Sequence, residues 1–560
     1  MKPSESLKII LDEESKKLKE LFDYPAYLAI HNIVRRMDVV IPLSSRSSES
    51  PQDDYAEFRA FFDYGWLPLI KYYYSKINLS DRLPFTLITK EILSICDTSI
   101  SYSGKIEFCK QLLNFEKADL IKINQVSDKE FLFKYLYENS GIEQFDNISL
   151  NFYKDRIVEK IIDAKKKEKP FDTNYIKEEV KRIVSSPDGN MIIYHTTEEI
   201  DDYYNQQGHF HMLRTQGYDE FDTKDLFGGI EYWRYLDFIE ILMGSALMRI
   251  DACLELQKKV ESIDLHNVLS YTFYKDKIVA NFSNYLDLDK GVIEQIMSCL
   301  TLTKDNYEYY LDYPSAPPPI FFQVADNLLI TSISGSLTNP LVLLNKELKR
   351  KYRKDYDKAV NNREERFRNE LFLFFQQNRI VKVPRGINIL FNGIHTDIDA
   401  VVFDTKTKTL GLFQLKWQDK YHHSMKERYS RISNLFDKAK EWIGKIKDWV
   451  DSNSAKSIIN SLQINKQHKA SAEIEEVYIF VISRNQMNFT GVELDSSVAW
   501  STWHQLIESQ ADIGSSIDNP IREMFVKIKA LEPQNRIQRG EKPQQTKLVV
   551  ELGDYKIYNS

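Results

Sequence analysis

The apolar residues of this 560-residue chain change their period once, and that change constrains the fold more than any single motif. Up to about residue 310 they recur at three- and four-residue spacing, as in EFRAFFDYGWLPLIKYYYSKI and EYWRYLDFIEILMGSALMRIDACLELQKKV, which predicts amphipathic helices. The strip DYPSAPPPI, Asp312 to Ile320, cannot continue a helix, because proline lacks the donor and clashes with the preceding turn. NLLITSIS after it reads as a strand, and TNP at Thr338–Pro340 opens a long, locally basic helical segment that runs to FLFFQQN. From residue 380 the texture becomes that of strands: INILF, TDIDAVVF, TLGLFQLKW and VYIFVISR, with a helix from about Met425 to Val450 and another around TWHQLIESQ. A polar stretch, LEPQNRIQRGEKPQQTK, precedes a last short strand, LVVELG. The chain is longer than one hydrophobic core usually organises, so the expectation is a multidomain protein. A mainly α-helical domain spans 1–345, and an α/β domain with a mixed central sheet spans 346–560.

Composition narrows the class. Hydrophobic residues at 42% and charged residues at 28% belong to a globular chain. A net charge of −7 excludes coating of nucleic acid by bulk charge and leaves a locally basic cleft open. Cys96, Cys109, Cys253 and Cys299 form no CxxC pair, which predicts scattered free thiols and a reducing, cytoplasmic setting. The N-terminus has the charged pattern of an amphipathic helix and not of a secretion signal. The most apolar stretch, Ile239–Met248, is too short and too interrupted to span a membrane. No GxxxxGK[ST] loop, serine elbow or HExxH pattern is present.

The segment TDIDAVVFDTKTKTLGLFQLKWQ carries the chemistry. Two strands flank the polar turn Asp404–Thr409, and closure about Lys406–Thr407 sets Asp399 opposite Gln414 and Asp397 opposite Lys416. Side chains alternate along strands, and opposed residues point to one side, so two carboxylates, an amide oxygen and an ammonium gather on one face. Ile398, Ala400, Val402, Phe413, Leu415 and Trp417 make the other face, ready to pack on a helix. Val401, Phe403 and Leu412 interrupt the polar face, so part of it is meant to be covered, which a freely solvated surface hairpin would not need. Carboxylates suit Mg²⁺ or Mn²⁺, and a lysine two residues away can stabilise charge building on a phosphate.

An Ile-Asp-Ala-Val-Val run followed by Gln-Leu-Lys, fifteen positions after the Asp, resembles the D…(E/Q)xK core of the PD-(D/E)XK nuclease superfamily. The Gln-x-Lys form is similar to that of Mrr-type restriction endonucleases. The resemblance covers about residues 360–500 and implies a restriction-endonuclease-like domain. It further implies that Asp399, Gln414 and Glu370 are metal ligands, with Glu365 in reserve, and that Lys416 is the catalytic lysine. The commoner family form has an acid where this chain has Gln414, and Glu370 or Asp397 would restore the missing charge. The implied activity is Mg²⁺- or Mn²⁺-dependent cleavage of DNA, with RNA as the other polymer, by a homodimer serving bacterial restriction or anti-phage defence. The alternative is a catalytically weak nuclease fold that binds nucleic acid or a partner, with the helical domain as sensor or scaffold for a partner protein. Lys426, Arg428 and Arg431 follow the motif as candidate phosphate contacts, beside the basic helix Lys346–Arg368 and the pair His422–His423. His209 and His211 would share a face of a strand, but no third metal ligand accompanies them.

Overall fold

The computed structural model describes residues 2–559 apart from 22–23, 45–52, 81–85, 139, 216–219, 313–315, 419–424, 467–472, 511–517 and 542–547. The protein is a mixed α/β structure, with helices through the first 350 residues and a five-stranded mixed sheet in the last third. Among the described residues no helix is long and apolar enough to cross a membrane. All four cysteines are buried and free.

The first region is built on helices Pro3–Leu21, Ala26–Ser44, Asp53–Lys76 and Lys90–Lys117. Their apolar stripes close on a core that includes Ile33, Phe62, Trp66, Tyr74 and Ile100. Two glycines let the third and fourth helices touch backbone to backbone. A Cβ at Gly65 would stand 1.7 Å from the Ile100 carbonyl oxygen, and one at Gly104 would stand 1.9 Å from that of Phe61. The helical period conceals a hairpin here, Ile121–Ser127 with Glu130–Tyr135. The chain's last strands, Val549–Leu552 and Tyr555–Asn559, extend this hairpin into a four-stranded sheet, the latter running parallel to Glu130–Tyr135. Val550, Leu552 and Ile557 therefore complete the core of the first region.

A middle core surrounds helix Tyr232–Lys259 and a small sheet in which Leu328–Thr331, the strand within NLLITSIS, pairs with Tyr271–Tyr274 and Phe321–Ala325. The basic helical segment after Thr338 is two helices, Pro340–Lys351 and Arg353–Phe372, which meet at Tyr352. GHFHM lies within helix Glu198–Thr215 and not on a strand, so His209 and His211 face different partners. His209 meets Glu240 and Lys165, and His211 meets the Leu337 carbonyl.

The five-stranded sheet runs in the order Ala499–Thr502, Glu476–Ser483, Thr409–Lys416, Ala400–Asp404, Ile380–Val383. The first three strands are parallel, and the hairpin and outer strand are antiparallel. A parallel neighbour needs a long crossover. Here it contains helices Met425–Ile432 and Lys438–Asp451. Apolar residues of Lys438–Asp451 cover one sheet face at Val401, Phe403, Leu410 and Leu412. Helices Arg353–Phe372, Trp503–Gln510 and Pro520–Leu531 cover the other face at Ala400, Val402, Phe413 and Leu415.

A polar clasp joins the first region to this sheet. Helix Gln144–Tyr153 and the turn before it hold the loop that follows strand Glu476–Ser483. Asp146 accepts from the backbone N–H groups of Met487 and Asn488 at 3.0 Å each and from Asn488 Nδ2 at 2.6 Å. Glu143 accepts from the N–H and the hydroxyl of Thr490, both at 2.8 Å. Ser149 donates to Glu508, which also takes Arg536.

Candidate active site

The turn Asp404–Thr409 closes because Asp404 is buried and accepts from the Lys406 N–H at 2.9 Å, while Lys408 adopts a left-handed φ of 51°. Ala400 then pairs with Phe413 and Asp404 with Thr409, the register that closure about Lys406–Thr407 predicts. Asp399 extends that ladder by one step, its N–H donating to the Phe413 carbonyl at 3.1 Å.

At Asp399 the strand bends. The expected continuous strand TDIDAVVF is two pieces, and Ile394–Ile398 swings away to pair with Ile387–Phe391 in a separate two-stranded sheet. Asp397 consequently lies opposite Asn388, exposed to solvent, and not opposite Lys416. The same bend takes Ile398 away from the face covered by helix Arg353–Phe372 and into the core on the other side of the sheet. Asp399, Gln414 and Lys416 remain together at the strand ends, on the face opposite Phe413 and Leu415.

Asp399 is 4% exposed, and its two oxygens are not equivalent. Oδ2 accepts from Gln414 Nε2 and from the Leu415 N–H, each at 2.7 Å. Oδ1 has no hydrogen-bond partner among the described residues. Burial pushes the carboxyl up to about 6, against the opposing pull of those two donors and of the Lys416 charge, while the Glu364 carboxylate adds to the rise. Lys416 is half-buried at the end of its strand, and its ammonium makes no hydrogen bond among the described residues. Its carbonyl accepts from the Arg484 N–H at 2.9 Å, which ties the strand end to the next strand.

The acids of helix Arg353–Phe372 are sorted by face. Phe367 and Leu371 pack on the sheet, so residues three, four and seven positions before them share their stripe. Glu364 lies on that stripe, close enough to Asp399 to raise its pKa. Arg368 bridges the two, its Nε donating to the Asp399 carbonyl and its Nη2 to Glu364 at 2.7 Å. Glu370 points elsewhere. It pairs with Arg484 Nη1 at 2.5 Å and with Arg366 at 3.6 Å, in a cluster on the Trp417 ring, which belongs to the sheet face opposite Asp399. Glu365 is exposed and lines an open depression with Asp222, Asn362 and Arg366. The helical stripe through Phe367 and Leu371 was the sequence signal that singles out Glu364.

Among the proposed phosphate contacts, Lys426 is exposed, whereas Arg428 is buried. Arg428 donates to the Thr490 carbonyl and to Glu143 at 3.3 Å, so it belongs to the clasp and not to a solvent-facing surface. Arg431 is half-buried, and its Nε has no hydrogen-bond partner among the described residues. His422 and His423 lie outside the described residues.

Among the described residues no three His, Cys, Asp or Glu side chains converge as a metal cage. The Asp399 carboxylate and the Gln414 amide meet through the Nε2–Oδ2 hydrogen bond, and Glu364 stands at the margin, near enough to raise the Asp399 pKa. Magnesium is commonly held by one or two carboxylates, with water and substrate phosphate completing its shell. A buried carboxylate with one uncommitted oxygen suits that sparse mode. No family model, characterised protein or solved structure matches this chain.

Proposed function

We propose that the C-terminal region is a divalent-metal-dependent nuclease of the PD-(D/E)XK kind, with DNA as substrate and Mg²⁺ or Mn²⁺ as cofactor. The observation that carries the reading is the Asp399 carboxylate: buried, raised in pKa, open at Oδ1, and grouped with Gln414 and Lys416 on one sheet face. Asp399 and Gln414 would hold the ion through oxygen, and Glu364 is the acid best placed to add charge, in preference to Glu370, which pairs with Arg484 over the Trp417 ring. A bound ion supplies an activated water and neutralises charge on the scissile phosphate. Lys416 keeps its ammonium at the same strand end, where it can meet a phosphate oxygen as negative charge builds. Arg368 holds the Asp399 backbone and Glu364 in place. The Mrr-like motif makes a homodimer in cytoplasmic restriction or anti-phage defence the natural setting, on family analogy.

A second reading has its own observation. Gln414 spends its amide N–H on Asp399, and among the described residues no third acid closes the site, which fits a nuclease fold retained for binding nucleic acid or a partner.

Cleavage of plasmid DNA with Mg²⁺ or Mn²⁺ separates the two. Asp399→Asn and Lys416→Ala should each lower the nicking rate by about 100- to 1,000-fold with the circular dichroism spectrum intact. Equal cutting by wild type and both variants would remove this site from the reaction. Plasmid binding without cleavage by any of the three would favour the binding module.

A further inference from the structure

A cavity of about 580 Å³ lies between the first region and the C-terminal sheet, and the Asp399 carboxylate does not line it. Small organic ligands occupy cavities of about 300–1,000 Å³ with mostly apolar walls. The wall from the first region has that character, with Phe115, Leu120, Leu150, Val158, Ile161 and Leu213. Ile161 and Tyr135 on this lining stay 41% and 48% exposed, apolar surface that the fold leaves uncovered. The π-turn Lys154–Val158 lies in the same wall, between helix Gln144–Tyr153 and helix Glu159–Glu168. Such widened turns recur at functional sites. Tyr153 and His504 add an aromatic pair to the lining, ring centroids 5.2 Å apart.

The charged side chains on the lining are already committed. Arg428 donates to Glu143 at 3.3 Å and to the Thr490 carbonyl, and Arg484 pairs with Glu370 at 2.5 Å. Asp146 and Glu143 accept hydrogen bonds from the 487–490 loop. Lys154 is engaged as well. An ionised ligand would give up its water here without meeting a charge that is still unpaired, which costs binding energy. A ligand without charge loses nothing on that account and gains from the apolar wall. We propose that this cavity binds a neutral, ring-bearing organic molecule, its rings against Leu150, Val158 and Ile161. The binding is independent of whether the hairpin cleaves DNA.

The test is fluorescence titration of the full chain with two dyes that brighten in apolar surroundings. One is N-phenyl-1-naphthylamine, which is neutral, and the other is 8-anilinonaphthalene-1-sulfonate, the same ring skeleton with a negative charge. The neutral dye should saturate at one equivalent and raise Tm as it exceeds its Kd. The sulfonate should bind at least about tenfold more weakly. Leu150→Trp, which fills the apolar side, and Ile161→Glu, which puts a charge on its exposed part, should each weaken the neutral dye at least about tenfold. If Leu150→Trp fails to fold, Ile161→Glu decides alone. Fluorescence that never saturates, a sulfonate that binds as tightly as the neutral dye, or equal affinity in wild type and the folded variants overturns the proposal.

Discussion

Asp146 and Asp399 are both buried aspartates, pushed by burial up to about 7 and about 6, yet they are bound in opposite ways. Asp146 spends both oxygens on three N–H donors of the 487–488 segment and joins two regions of the chain. Asp399 crowds its two donors onto one oxygen, and among the described residues its other oxygen and the neighbouring Lys416 ammonium make no hydrogen bond. A raised pKa alone does not tell a structural carboxylate from a chemical one. The distribution of donors over the two oxygens does, because a satisfied acid has nothing left to offer a ligand.

That contrast breaks if stability and activity fail to separate. The largest stability loss is expected for Asp146→Ala, which strands two backbone N–H groups and the Asn488 amide, at a cost of about 3–5 kcal/mol by denaturant unfolding. Arg428→Ala, on the same clasp, should cost about 1.5–3 kcal/mol. Lys426→Ala on the exposed side of its helix should leave stability unchanged and lower the salt dependence of DNA binding by about one phosphate contact. A salt slope that responds to Arg428 and not to Lys426 would reverse that assignment.

Smaller effects sharpen the comparison. The folded pKa of Asp146 stands above the ordinary 3.8, so the fold binds the extra proton between about 4 and about 7. Its contribution is therefore complete below about 4 and falls as pH rises to 7, with a slope of up to about 1.4 kcal/mol per pH unit. Asp146→Asn should remove that slope in unfolding measured across this window. A small stability change is expected for Asp399→Asn, below about 1 kcal/mol, because the neutral amide keeps the shape and an oxygen acceptor. A large stability loss there would make Asp399 a second structural carboxylate.

Much of the local structure was legible in the sequence. The alternation in TDIDAVVF and TLGLFQLKW, with five polar turn residues between, predicts the register that seats Asp399 beside Gln414. The apolar residues Val401, Phe403 and Leu412 announce the helical cover they receive. Other placements depended on partners that leave no local trace. Asp397 is lost to the site because the strand bends and its outer piece pairs with Ile387–Phe391. Glu370 is drawn to Arg484, a residue over a hundred positions later, whereas helical spacing to Phe367 and Leu371 already marked Glu364.

Periodicity by itself determined most of the helices and the strands Ala400–Asp404, Thr409–Lys416 and Glu476–Ser483 with their covered faces, because a covered face must be apolar wherever its cover comes from, but it passed over the hairpin of Ile121–Ser127 with Glu130–Tyr135. What does the covering was decided only in the tertiary structure. The last strands cross to Glu130–Tyr135, Arg428 is buried by Glu143 and Thr490, and the cavity opens where helices of the first region meet the end of the C-terminal sheet. The physical reason is that hydrogen-bonding edges and charged side chains look alike before they are paired, and their partners here lie hundreds of residues away.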